Sequence, residues 1–311
     1  IYNLVKLKKR EVFTMSDTII TGAYDMHIHT GPDIMDRKLD FLEEAERVKA
    51  AGMAGYVIKS HYFPSSSWAK VANARVPECQ TFGSIVLNNS VGGLNPYAVD
   101  AAARDGAKVV WFPTVDTVAA IKKTEHVEEG GRRPFWLDVL LSMQADGMTL
   151  KPVRVLDDDG KLVPEAIEVL DVIARYDMIL ATGHISVREA KALIKAARER
   201  KVERIICTHV DSQLCFWQIE EQLEYVNKYG VYMEHCTNSC TTGKVAWDVC
   251  LNQIKAVGCD HIIISTDLGQ KKHKYPDEGL LDFANWMLEN GISETDVRKT
   301  IYDNPRQLLL G

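Results

Sequence analysis

Tyr24-Asp25-Met26-His27-Ile28-His29-Thr30-Gly31 is the stretch from which this 311-residue chain is best read. It holds the first of eight short runs, at 24–29, 55–59, 81–87, 108–113, 178–184, 204–209, 231–234 and 262–267. Most are rich in Val, Ile, Leu, Phe or Tyr, and few alternate cleanly with polar residues. Strands buried on both faces read this way. Helix-period segments lie between them. Leu39, Leu42, Ala45 and Val48 form an apolar stripe stopped at Gly52. Ser186-Val187-Arg188-Glu189 matches a capping box and opens a helix with Ala190, Leu193, Ile194 and Ala197 on one face. Further helices are expected at 164–176, 217–228, 244–257 and 279–290. A last one starts at Ser293-Glu294-Thr295-Asp296 and is expected to stop before Pro305.

Strand–helix alternation implies a parallel sheet with helices outside it. Eight strands allow an open doubly wound sheet or a closed α/β barrel. No GxGxxG or GxxxxGK[ST] loop follows the first strand, which weakens nucleotide-binding versions of the open sheet. Strand starts recur about every 25–32 residues, as in barrel units, except that about 65 residues separate Pro113 from Met178. An elaborated loop at about 115–163, with a hairpin turned at Asp158-Asp159-Gly160, is expected there. The fold expected is one (β/α)8 TIM barrel over residues 15–311. Residues 1–14, ahead of Met15, read as a leader or an expression-derived extension.

Composition narrows the class. There are 37 basic and 43 acidic side chains, a formal charge of −6, with 46% hydrophobic and 26% charged residues. These are ordinary values for a soluble globular protein. Mild acidity argues against a general nucleic-acid binder. No apolar run reaches the roughly 18 residues of a membrane span. The seven cysteines, odd in number and without a CxxC pair, read as reduced thiols in a cytoplasmic protein.

Residues two apart on a strand share a face, so His27 and His29 can reach one metal ion together. An HxH pair alone is a weak signal, and two satisfied histidines at a strand end would look the same. Three other strands also finish on metal-competent residues: Thr182-Gly183-His184, Cys207-Thr208-His209 and Ser265-Thr266-Asp267. In a barrel the C-terminal ends of the strands converge on one mouth. Four strand ends aiming imidazoles and a carboxylate at one volume is a far stronger signal than the pair.

This order, HxH on strand one, His on strands five and six and Asp on strand eight, resembles the amidohydrolase superfamily. The closing Asn304-Pro305-Arg306-Gln307-Leu308-Leu309-Leu310-Gly311 is similar to an ending common there. The resemblance runs from about Gly22 to the end, and the branch it points to is an uncharacterised one. It implies that His27, His29, His184, His209 and Asp267 hold one or two divalent metal ions. Zinc is the first expectation, with Mn, Fe or Ni as other fits to His and Asp ligands. It also implies that Asp267 is the base that takes a proton from attacking water. A divalent cation makes water acidic near neutrality and polarises a carbonyl or phosphoryl oxygen, and a neighbouring carboxylate can shuttle the proton.

One departure stands out. Binuclear members usually carry a carboxylated lysine or a glutamate at the end of strand four, whereas here that strand ends Trp111-Phe112-Pro113-Thr114. Strand two instead ends Val57-Ile58-Lys59-Ser60-His61, with Lys59 and His61 on one face. Lys59 has three readings: a carboxylated bridging ligand, a cation for an anionic substrate group, or a structural ion pair. His61 would bridge metals or orient substrate.

Other features read more plainly. Glu234 and His235 end strand seven, where they contact substrate or hydrogen-bond a ligand from behind. Cys236 and Cys240 beside His235 read as free thiols rather than a zinc site, because two more ligands are missing. Gly92-Gly93-Leu94-Asn95-Pro96 is a turn at the mouth. Lys271-Lys272-His273-Lys274 is a solvated loop or an attractor of anionic substrate. Phe135, Trp136 and Met143 form a lid or a subunit contact, and His126 and His261 are incidental.

The function expected is a metal-dependent hydrolase that uses metal-activated water on an amide, cyclic amide, lactone or related carbonyl substrate. A mononuclear decarboxylase or deaminase, or a phosphoesterase, on the same residues is the alternative within the superfamily. A barrel that binds metal or ligand without catalysis is the alternative outside it. The partner expected is a small-molecule substrate, not nucleic acid or membrane, and homo-oligomerisation enters only as the general expectation for enzymes of this size.

Overall fold

The structure, a computed structural model, describes residues 18–125 and 134–311. The expectations for residues 1–14 and for His126 lie outside the described residues. Eight strands occur in the expected places: β1 Tyr24–Ile28, β2 Gly55–Ile58, β3 Gln80–Val86, β4 Ala107–Trp111, β5 Ile179–Ala181, β6 Ile205–Cys207, β7 Tyr232–Cys236 and β8 Ile262–Ser265. Each pairs in parallel with the next, in chain order. The ring closes where Ile28 bridges Leu268. There the Asp267 N–H donates to the His27 carbonyl and the His29 N–H to the Leu268 carbonyl, both at 2.8 Å. The fold is a (β/α)8 barrel.

Two apolar layers follow from strand alternation. Inside the ring Tyr24, Met26, Val57, Val86, Val109, Trp111, Ile179, Ala181, Ile206 and Ile263 pack together with Leu308 and Leu309. Outside it Ile28, Ile58, Ile85, Val110, Leu180, Ile205, Met233 and Ile264 meet the helices. Burying each such side chain contributes about 1.5–3 kcal/mol, so the two layers together dominate the stability of the fold. The helix Val187–Glu199 shows how sequence sets this packing. Ser186 accepts from the Glu189 N–H, Glu189 returns a bond to the Ser186 backbone, and Ala190, Leu193, Ile194 and Ala197 are its buried face.

Three elements differ from the sequence reading or add to it. The last helix does not stop before Pro305: Glu294–Arg298 runs through a π-turn at Lys299–Asp303 into Asn304–Leu310. Pro305 follows directly on that π-turn, a local irregularity of the helical run beside the residue that lacks an N–H. The turn at 92–96 leads straight into a helix, Pro96–Arg104, capped by the Asn95 side chain. The long β4–β5 connection contains the helices Val118–Lys122 and Phe135–Ala145. It then makes a tight turn in which Leu156 and Leu162 bridge antiparallel.

Candidate metal centre

The C-terminal ends of the strands bring the sequence candidates together. β1 carries a bulge between Asp25 and Ile28, so Met26 and His27 lie opposite Val57 alone. The extra residue re-aims the strand: Met26 joins the inner apolar layer and His27 still points into the mouth. Lys59 and His61 follow Val57 on the same face of the β2 end. His184 is delivered by Gly183, whose φ of 64° is left-handed and whose missing side chain lets the carbonyls of Phe112 and Pro113 approach.

Five imidazoles form a closed circuit in the mouth. Ring centroids are 5.3 Å apart for His27–His29, 4.9 Å for His29–His61, 6.0 Å for His61–His184, 5.3 Å for His184–His209 and 5.1 Å for His209–His27. Asp267 sits across this circuit. Its Oδ1 is 3.0 Å from His29 Nε2 and 3.1 Å from His27 Nε2, and its Oδ2 is 3.9 Å from His209 Nε2. Asn238 donates to Oδ2 at 3.0 Å. His209 and Asp267 both have positive φ, 51° and 53°. Left-handed backbone at a non-glycine residue carries strain and tends to persist at functional positions.

The side chains behind the imidazoles set their tautomers. His27 donates from Nδ1 to Glu234 Oε1 at 3.2 Å, which leaves Nε2 of the neutral ring with its lone pair toward the mouth. Lys59 Nζ lies 2.9 Å from that Nε2 and 4.3 Å from the Trp111 ring. Among the described residues no carboxylate forms a close ion pair with Nζ, and Asp267 and Glu234 favour its charge from farther off. The Thr114 hydroxyl accepts from Asn88 at 2.8 Å and hydrogen-bonds with His61 Nδ1 at 2.9 Å, which fixes the orientation of the ring. Strand four, which lacks the expected ligand, contributes this orienting hydroxyl instead. Arg37 reaches His29 Nδ1 at 3.3 Å and holds Asp33 through two bonds of 2.8 and 2.6 Å.

Titration follows burial and charge. Burial, with neighbouring cations, holds His29, His61 and His184 well below the ordinary imidazole range, and burial lowers His209 to about 4. His27 is the exception: burial and Lys59 lower it, but Asp267 and Glu234 together raise it above its ordinary value. Burial would raise the Asp267 carboxyl, yet His27, His29 and His209 hold it well below the usual range. Lys59 is lowered by burial.

These residues fit a divalent cation. Neutral imidazoles offer lone pairs, and the buried Glu234 and partly buried Asp267 carboxylates face a single buried ammonium. His209 Nδ1 is buried with no hydrogen-bond partner. Ligand atoms of His27, His29 and Asp267 lie within 4.8 Å of one another, as do those of His27, His209, Glu234 and Cys236. His184 and His61 border these groups without belonging to either. Sequence reasoning missed Arg37, Thr114 and the approach of Cys236, whose Sγ is 3.9 Å from His27 Nδ1. Of these, only Cys236 carried a signal: it shares a strand face with Glu234.

Comparison places the chain. It belongs to the family of unknown function DUF6282, whose model matches residues 22–234. No curated protein matches it in sequence. An amidohydrolase from Pseudomonas aeruginosa is similar in structure, with a TM-score of 0.61 at 12% identity over 94% of this chain and 96% of that one. The probable dipeptidase PvdM from the same organism gives 0.60 at 11% identity over 92% and 94%. A mutant PTE-like lactonase from Deinococcus radiodurans gives 0.58 at 12% over 94% and 98%. At such identities the likeness is one of fold, and it is the fold that the resemblance of the strand ends implied.

Proposed function

We propose that this chain is a metal-dependent hydrolase of the amidohydrolase superfamily, acting with water on an amide, cyclic amide, lactone or related small carbonyl compound. The observation that carries this reading is the convergence of five imidazoles and one ionised carboxylate at the barrel mouth, contributed by five strand ends. Fold neighbours described as an amidohydrolase, a dipeptidase and a lactonase support it.

His27, His29, His184 and His209 would hold the ion or ions, with Asp267 beside them. The nitrogen and oxygen donors suit zinc, and also manganese, iron or nickel. When bound, a divalent ion there supplies Lewis acidity, making water nucleophilic near neutral pH and polarising a carbonyl oxygen. Glu234 fixes the His27 tautomer from behind, a support that typically matters as much to affinity as to geometry. Asp267 Oδ1 is engaged by two imidazoles, so Oδ2 takes the proton of attacking water and returns it to the leaving group. His61, held by Thr114, orients the substrate beside the ion. Lys59 offers a buried cation for an anionic group of the substrate.

The test pairs metal analysis with a hydrolysis screen over lactones, cyclic amides and dipeptides. Asp267→Asn is expected to retain metal and lose roughly 10²–10⁴-fold in kcat on any substrate found. Unchanged turnover in that variant would remove Asp267 as the base. Absence of metal from the folded wild type, before and after reloading, would overturn the reading as a whole.

A further inference from the structure

A second group of metal-competent side chains lies on the other side of β7. Along that strand Glu234 and Cys236 turn inward to His27. His235 between them turns outward, toward the helix Trp247–Val257. There its Nδ1 is 2.8 Å from Asp211 Oδ2 and 3.4 Å from Cys250 Sγ. Ligand atoms of Asp211, His235 and Cys250 all lie within 4.8 Å of one another. The Cys240 thiol lies beside that of Cys250. The four residues come from the segment after β6, from β7, from the short helix Thr237–Thr241 and from the helix Trp247–Val257.

All four are at most 3% exposed. Asp211 Oδ1, on the carboxylate that faces His235, is buried with no hydrogen-bond partner. Burying polar atoms unsatisfied costs roughly 1–3 kcal/mol each, so such a group needs a reason. Zinc bonds of about 2.3 Å to sulfur and about 2.0–2.1 Å to nitrogen, at a tetrahedral angle, place the two donors about 3.5 Å apart. The His235–Cys250 separation of 3.4 Å is close to that value, and the 2.8 Å from His235 to Asp211 is a hydrogen bond that an ion would replace.

We infer that Asp211, His235 and Cys250, with Cys240 beside them, form a second, buried site for a divalent transition metal of zinc type, separated from the mouth by β7. Its full burial sets it apart from a catalytic site, which keeps a position open to substrate. Loading releases the thiol proton of Cys250 and moves the His235 proton from Nδ1 to Nε2. The ion then offsets the charges of Asp211 and the thiolate. It ties the segment that carries His209, two residues before Asp211, to β7 and to the helix behind it. None of this depends on hydrolysis at the mouth.

The probe is Co²⁺ alone, titrated into the chelator-stripped full chain carrying His27→Ala and His29→Ala, so that the mouth is disabled. The expected result is one equivalent bound, with a thiolate-to-cobalt charge-transfer band in the near ultraviolet. Adding Cys250→Ser abolishes both, His235→Gln weakens both, and Cys236→Ser leaves both in place. Circular dichroism verifies folding, and the same single substitutions in the otherwise wild-type chain serve if the double variant does not fold. A folded protein without the band, or a band that follows Cys236 instead, overturns the inference. So does a Cys240–Cys250 disulfide in the freshly isolated protein, read as a loss of two hydrogens by intact mass and accompanied by no cobalt uptake after reduction. A failed hydrolysis screen leaves this result untouched, and the reverse also holds.

Discussion

Lys59 Nζ and Asp267 Oδ1 both approach the same atom, His27 Nε2, at 2.9 and 3.1 Å. One nitrogen cannot give its lone pair to an ammonium and a proton to a carboxylate at once. The three groups therefore compete, and a cation entering the mouth must displace the ammonium from that lone pair.

Lys59→Met is accordingly expected to bind the first equivalent of Co²⁺ about tenfold more tightly than wild type at pH 7, a difference of about 1.4 kcal/mol. Competition titration against a chromophoric chelator measures it. Weaker binding in Lys59→Met, or loss of a second equivalent, would make Lys59 a ligand rather than a competitor.

Glu234 is fully buried, and its Oε1 holds His27 from behind at 3.2 Å. Glu234→Gln keeps an acceptor there but removes the charge. Metal affinity is expected to fall by roughly 10–100-fold, as for other supporting carboxylates. The raised titration of His27 should also move down, since Glu234 is one of the groups that raise it. NMR titration of the metal-free protein reads that shift.

His209 occupies a left-handed conformation at φ 51°. Asparagine visits that region readily, whereas a β-branched residue does not. His209→Asn is expected to lose metal affinity while keeping its urea midpoint. His209→Val loses metal affinity and also costs at least about 1–2 kcal/mol of stability. Equal midpoints for the two variants would show that the backbone there relaxes freely.

Glu44, in the helix Phe41–Ala50, is buried, and its Oε1 has no hydrogen-bond partner. Burial first, then Asp277 and Asp25, raises its carboxyl to about 8. The folded state thus holds a proton that the unfolded state, near 4.5, has released. Between these values the folded protein binds more protons, so this contribution is present at low pH and is lost as pH rises toward 8. Glu44→Gln, which stays neutral, is expected to remove that decline and to be more stable than wild type above pH 8 by an amount on the order of a few kcal/mol. Urea unfolding at pH 6 and pH 9 checks the sign.

The barrel was legible because most of its strands are buried on both faces and read as short apolar runs. Helices such as Val187–Glu199 were legible from a capping box and a single stripe. Ser66–Arg75 was not, because it lacks a side-chain cap and buries only small residues, Ser66, Ala69 and Ala72. The inward residues of the mouth followed from strand ends, and the β1 bulge did not mislead because it falls before the HxH pair is complete. Glu234 stayed ambiguous until the facing of β7 was known. Arg37 lies in a loop, where no periodicity assigns a direction. Asp211 and Cys250 are 39 residues apart in the chain, and only the packing of a helix on β7 joins them.

The seam of the barrel has a consequence for biosynthesis. His27 and His29 are made about 240 residues ahead of their backbone partners Asp267 and Leu268. A nascent chain still lacking β8 has neither the carboxylate that faces the imidazoles nor the strand that closes the ring beside them. The mouth therefore comes into being only once β8 has emerged, and a ribosome-bound fragment ending before Ile262 carries four of its strand ends without the carboxylate they surround.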